Sequence, residues 1–251
     1  MRKFGLVGFP LGHSFSKQYF SDKFINESIS DCSYENYELE KLDSFNEMIL
    51  NDPEICGLNI TIPYKSEVIR YLDNVDNEAS EIGAVNVIKI SYKREKPILK
   101  GFNSDIFGFR ESLLQHLSGG KLRNAIILGT GGSSKAIVYV LNKLDVSIIQ
   151  ISRNSGNGFI SYKELTDKML KENELIINTT PLGMFPNIKD KPDLNYDCLN
   201  RNHVLFDLVY NPSLTAFLKE GKERGCTLIG GLEMLHLQAE KSWEIRNSPM
   251  F

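Results

Sequence analysis

The chain reads as an α/β protein of two domains, and three observations carry that reading. Short apolar runs alternate with helical patterns along the whole length, the rhythm of a mainly parallel sheet covered by helices. A glycine-rich turn, Gly129-Thr130-Gly131-Gly132-Ser133-Ser134, follows one such run in the middle of the chain rather than at its front. The 251 residues suffice for two ordinary domains with cores of their own.

In the first half, Phe4 to Phe9 reads as a strand ending at Pro10, followed by a polar turn and a helix over Gln18 to Asn26. Tyr34 to Leu39 alternates like a strand, Leu42 to Leu50 like an amphipathic helix, and Gly57 to Ile62 is a strand stopped at Pro63. Tyr64 to Leu72 looks helical, with Pro63 suited to a first turn. Asp73 to Glu81 reads as a solvated, capped helix face. Ala84 to Ile90 is strand-like, and the polar run Ser91 to Lys96 suggests a hairpin returning through Ile98 to Gly101. A helix over Asp105 to Leu117 connects the halves. The second half then sets strands at Ala125 to Leu128, Val146 to Ser152, Glu174 to Asn178, Val204 to Val209 and Thr227 to Ile229. Helical stretches fall near Lys135, Tyr162 and Leu214, and a last helix covers Leu232 to Arg246. The expected domains are 1–104 and 105–231, with the segment 232–251 packing back on the first. That double crossing makes the cleft between the domains the natural site.

Composition removes several classes of function. The net charge is −3, so no basic surplus recommends a nucleic-acid partner. No apolar run approaches the ~18 residues of a membrane span. Met1-Arg2-Lys3 leads into a short apolar run ended by Pro10, a strand rather than a signal peptide. Cys32, Cys56, Cys198 and Cys226 are scattered without metal-like spacing, so a reduced, cytoplasmic setting is expected.

Strand, glycine turn and helix in that order is the context in which the glycine pattern binds a dinucleotide, as in a Rossmann-like domain. Gly129 permits the tight turn, and Gly131 and Gly132 lack the Cβ that would block a pyrophosphate. The helix behind supplies free N–H groups and the positive end of its dipole. Ser134 stands where the third glycine would be and is small enough for close packing. Ser152-Arg153-Asn154 ends the second strand, where an acidic residue would select a ribose 2′-hydroxyl. Arg153 can instead pair with a 2′-phosphate, flanked by the neutral donors Ser152 and Asn154, which favours NADP.

The first half supplies polar islands for substrate chemistry. In Asn59-Ile60-Thr61-Ile62-Pro63-Tyr64-Lys65 a strand puts Asn59 and Thr61 on one face, with Lys65 just past its end. Asp105 is either a helix N-cap or part of the site. Asn86 interrupts an apolar run, and a buried asparagine needs partners, of which a ligand is one candidate.

Together these motifs resemble the shikimate dehydrogenase family. The resemblance rests on H-S-F-S at His13 to Ser16, the Asn59 to Lys65 stretch, G-A-V-N at Gly83 to Asn86 and N-S-D at Asn103 to Asp105, running on to Gly108. It continues through the glycine turn, Asn178 to Met184, Asp207 to Pro212 and Gly231 to Gln238. It implies reversible, NADPH-dependent reduction of 3-dehydroshikimate to shikimate, a step of chorismate and aromatic amino-acid biosynthesis. Ser14 and Ser16 would hold the substrate carboxylate, helped by Tyr210. Asn59, Thr61, Asn86, Asp105 and Gln238 would hold the ring hydroxyls. Lys65 and Asp105 would form the acid–base pair. Leu208 and Gly231 would lie near the nicotinamide, with Met234 close by, and His13 would brace its turn. His116, His203 and His236 read as surface or packing residues. Two features depart from the pattern: the glycine-rich stretch Asn154 to Gly158 lacks an extra basic residue, and the chain between the second and fourth strands of the second domain is short. The alternatives are a quinate/shikimate dehydrogenase with relaxed cofactor use and a non-catalytic sensor. The expected partners are small molecules, with the chain a monomer or homodimer.

Overall fold

The computed structural model describes residues 1–12, 15–117, 122–156 and 158–249. The chain divides into two compact units, Met1–Ser104 with Ala239–Phe251, and Asp105–Gln238.

The first unit is a six-stranded sheet. Its elements are β1 (Arg2–Gly8), α1 (Phe15–Asn26), β2 (Cys32–Glu38), α2 (Phe45–Asn51), β3 (Ile55–Ile60), β4 (Asn74–Val75), α3 (Asn77–Ile82), β5 (Val87–Lys93) and β6 (Lys96–Phe102). The strands run in the order β2-β1-β3-β5-β6-β4. β1 pairs parallel with β2 and β3, whereas β5 is antiparallel to β3 and β6. β1 is buried on both faces because its residues alternate. Val7 joins a core with Phe45, Ile49, Leu58 and Ile88. Phe4 joins the opposite core with Phe20, Phe24, Tyr34 and Ala239, where Trp243 packs. The β5–β6 turn uses Arg94 and Glu95, both at positive φ (49° and 66°), the geometry of a two-residue hairpin whose twist matches the strands.

The second unit is an all-parallel sheet. It holds α4 (Asp105–Gln115), β7 (Asn124–Leu128), α5 (Gly132–Lys143), β8 (Ser147–Ser152), β9 (Ile160–Ser161), α6 (Asp167–Glu172), β10 (Leu175–Asn178), β11 (Val204–Asp207), α7 (Ala216–Glu223) and β12 (Thr227–Gly230). The order β12-β11-β10-β7-β8-β9 is the doubly wound dinucleotide-binding arrangement, and its direction reverses between β7 and β10. The last helix, α8 (Gly231–Asn247), contributes its first two turns to this unit and its remainder to the first. Among the described residues no helix is long and apolar enough to cross a membrane.

Two expected helices differ. Instead of an α-helix over Tyr64 to Leu72 there is a turn and a 3-10 stretch at Glu67–Tyr71. The Lys65 carbonyl accepts from Val85 N–H, so a neighbouring segment takes a backbone acceptor that a helix would use, and the Ser66 hydroxyl donates to the Gly83 carbonyl of that segment. Near Tyr162 the chain forms β9 instead, because the edge of β8 offers it a ladder. The helix starts only at Asp167, capped by the Thr166 hydroxyl on Met169 N–H. The chain from β8 to β10 holds β9 and a six-residue helix. The connection from β10 to β11 carries a 3-10 turn at Tyr196–Cys198 in place of an α-helix.

Candidate functional site

In the first unit the end of β3 gathers the polar residues. Ile60 N–H donates to the Asn86 carbonyl, and Asn86 N–H to the Phe102 carbonyl. With the Lys65–Val85 bond, these place Asn59, Lys65 and Asn86 on neighbouring strand ends. Lys65 is half-buried. The Asn86 side chain, 2 % exposed, donates to the Ser104 hydroxyl at 3.1 Å and accepts from Ser104 N–H at 2.7 Å. The partner a buried asparagine requires therefore includes Ser104, the residue before Asp105. Asn59 Oδ1 accepts from the Tyr34 hydroxyl at 2.9 Å and from Arg246 Nη1 at 2.6 Å, and its Nδ2 approaches the Asn86 carbonyl at 3.4 Å. Ser16 stands in the first turn of α1 and hydrogen-bonds the Tyr34 hydroxyl. Burial pushes the Tyr34 phenol up to about 12, against the opposing pull of Arg246 and Ser16. Thr61 is half-buried, whereas Ile62 is 63 % exposed, so the apolar face of this strand ends at Ile60. His13 and Ser14 lie outside the described residues.

In the second unit Asp105 opens α4 and is 4 % exposed. The glycine turn sits at the point where strand order reverses. Gly129 has φ +112°, and a Cβ there would lie 2.5 Å from Thr179 Oγ1. A Cβ at Gly131 would meet nothing within 4 Å, so that side of the turn is open. The turn is braced from behind. Gln150 donates to the Gly129 carbonyl and to Ser134 Oγ, and Ser134 donates to the same carbonyl. No side chain caps α5, whose first N–H groups face the turn next to Thr130 and Ser133. Gly129 N–H donates to the Ile151 carbonyl, which brings Ser152, Arg153 and Asn154 to the turn's flank, with Arg153 and Asn154 exposed.

These features fit NADP: an uncapped helix start and a Cβ-free turn for the pyrophosphate, and an exposed guanidinium for the 2′-phosphate. Sequence reasoning missed Glu164. Its carboxylate accepts from Ser161 N–H and hydroxyl, and Ser161 pairs with Ser152 across β8 and β9. Ser155 also hydrogen-bonds it, and these donors hold its carboxyl below the ordinary range. It sets a negative charge beside the loop that carries Arg153.

Behind the ends of β10 and β11 lies a second organising residue outside the sequence reading. Asp207, fully buried, accepts from Asn178 Nδ2, Val209 N–H and the Thr215 hydroxyl. Burial pushes its carboxyl up to about 6 although three donors oppose the shift. It shapes the exit of β11 into Leu208 and Tyr210. A Cβ on Gly231 would lie 2.3 Å from the Leu208 carbonyl oxygen, so α8 starts against that backbone. Tyr210, Ser213, Gly230, Gly231, Glu233 and His236 line one pocket of about 540 Å³ with His116. Burial raises the Tyr210 phenol. Gln238 is half-buried and donates to the Leu235 carbonyl, and Met234 is buried beside it on α8. His203 is a packing residue, with Nε2 on the Leu170 carbonyl.

A family model for the shikimate dehydrogenase substrate binding domain matches residues 6–88. The chain is 38% identical to a shikimate dehydrogenase (NADP(+)) of Methanococcus aeolicus, over 96% of this chain and 90% of that one. It superposes on the shikimate dehydrogenase 1 of Peptoclostridium difficile with a TM-score of 0.85 at 34% identity, covering 100% and 93% of the two chains. The Thermus thermophilus enzyme solved with NADP(H) and shikimate gives 0.83 at 28% identity, covering 100% and 95%.

Proposed function

The chain belongs to the shikimate dehydrogenase family, and from the residues it carries we infer an NADP-dependent oxidoreductase that reversibly reduces 3-dehydroshikimate, with Lys65 and Asp105 as its acid–base pair. Bound NADPH supplies the hydride that the carbonyl carbon accepts. Carbonyl reduction builds negative charge on oxygen, and an ammonium such as Lys65 both stabilises that charge and delivers the proton. Asp105 takes the part of the partner carboxylate in this reading. Ser14, Ser16 and Tyr210 take the substrate carboxylate in this reading. Asn59, Thr61, Asn86, Asp105 and Gln238 take the ring hydroxyls. Leu208 and Gly231 flank the nicotinamide. The observation that supports this most directly is the backbone tie between Lys65 and Val85, which sets the lysine beside Asn86 at the end of β3.

The test is reduction of NADP by shikimate, followed by nicotinamide absorbance, in the unaltered protein and in Lys65→Ala. Turnover is expected in the first, with a loss of about 100-fold or more in the second. NADPH affinity should be unchanged. Equal loss of turnover and NADPH binding would remove Lys65 from the role of acid.

A further inference from the structure

The last helix carries a buried cation for which the described residues supply no counter-ion. Arg246 is 6 % exposed, and among the described residues no carboxylate pairs with it. Its Nη1 donates to Asn59 and its Nη2 to Ser242 Oγ at 3.3 Å, while Nε has no partner. The guanidinium lies 5.1 Å from the Phe4 ring, 5.0 Å from Phe20 and 5.9 Å from Tyr34. Ring faces attract a cation without neutralising it. Gly57 makes room for the side chain, since a Cβ there would lie 2.5 Å from Arg246 Cδ. An unpaired buried charge is costly, and a role at one of its polar contacts offsets that cost.

Of its polar contacts, with Asn59, Ser242 and Tyr34, the one in the candidate site is Asn59. An amide oxygen has two lone pairs, and here one accepts from Arg246 and the other from the Tyr34 hydroxyl. The amide therefore cannot flip, and Asn59 presents N–H rather than C=O away from the arginine. One of its two hydrogens faces the Asn86 carbonyl at 3.4 Å, and the other is left for an acceptor oxygen. The Tyr34 hydroxyl also carries the hydrogen bond of Ser16. Arg246 thus stands directly behind Asn59 and one residue further, through Tyr34, behind Ser16.

We propose that Arg246 is a positioning and specificity residue for the substrate: it locks Asn59 as a donor and sets a positive charge behind Asn59, Tyr34 and Ser16, so that this subsite selects a carboxylate-bearing ring over its neutral counterpart. The proposal rests on the reading that Asn59 and Ser16 hold substrate. It extends that reading because Arg246 touches no part of the set the sequence assigns except Asn59. In this scheme the substrate carboxylate is the counter-ion that the described residues do not give Arg246.

The experiment compares binding of shikimate and of its methyl ester, by calorimetry, to the NADP-loaded protein and to Arg246→Met and Arg246→Lys. The unaltered protein should prefer the acid. Arg246→Met should cut that preference about tenfold, as expected for an ionic contact acting at partial screening. Arg246→Lys should keep the preference because it keeps the charge. Should Arg246→Met not fold, Arg246→Gln serves in its place, being neutral yet able to donate to Asn59. An acid-over-ester preference unchanged in the neutral variant overturns the proposal, as does failure of the unaltered protein to bind shikimate. Because binding is read without turnover, a protein that binds shikimate but reduces no NADP sinks the proposed reaction and leaves this inference standing.

Discussion

Asp207 shows how a single side chain ties stability to pH. Its carboxyl, raised by burial from the ordinary 3.8 to about 6, holds its proton more tightly folded than unfolded. Stability from this group is therefore fully present below about pH 4 and falls as pH rises toward 6. Asp207→Asn should become more stable relative to the unaltered protein by on the order of 2–3 kcal/mol between pH 4 and pH 7, read from denaturant midpoints. A constant difference across that range would mean the carboxyl titrates normally. At the other end of the cofactor site, Arg153→Ala should weaken NADP about tenfold or more and NAD little. Glu164, held by Ser161 and Ser155, places a negative charge beside the loop that carries Arg153. Equal losses for both cofactors would show that the 2′-phosphate is read elsewhere. The sequence singles out Arg153 because a position after the second strand has a known meaning in this fold. Glu164 lies eleven positions on, and only the β8–β9 pairing brings it there.

Among the elements, the glycines separate shape from binding. Gly231→Ala forces a Cβ within 2.3 Å of the Leu208 carbonyl oxygen, backbone against backbone, and should cost roughly 1–3 kcal/mol. Gly131→Ala meets nothing and has an ordinary φ of −77°, so folding should be unaffected while NADPH affinity falls. Thermal unfolding and NADPH titration of both variants check this contrast; a stable Gly231→Ala with full affinity would refute it. Most strands were legible because their apolar runs are compact: β7, β10 and β11 are buried almost residue for residue. β9 was not, since two residues make a strand only when a neighbouring edge is present. The 3-10 stretch after Pro63 was hidden for a related reason, because Val85 N–H takes the Lys65 carbonyl that a helix would use. The reach of Arg246 to Asn59 joins residues 187 positions apart, and that of Tyr34 to Asn59 spans 25, distances that no local pattern encodes.

At the scale of the molecule, the two units differ in how the chain supplies them. The second unit is one continuous segment, whereas the first needs residues from both ends. The segment 105–238 alone should fold cooperatively and gain stability from NADPH. The segment 1–104 alone should not fold, because Phe4, Phe20 and Phe24 lose the cover of Ala239 and Trp243. Circular dichroism and thermal unfolding of the two pieces decide it, and a stable 1–104 would show that the α8 contacts are dispensable. The same discontinuity acts during synthesis. A ribosome adds about 5–20 residues per second, so the stretch that separates Ser104 from Ala239 occupies roughly 7 to 30 seconds. Throughout that interval the nascent N-terminal half displays its aromatic face uncovered, while the half made later is completed first. In a cell the first unit is thus exposed to aggregation until α8 is translated, and the fidelity of its folding rests on a segment made long after the rest of that unit.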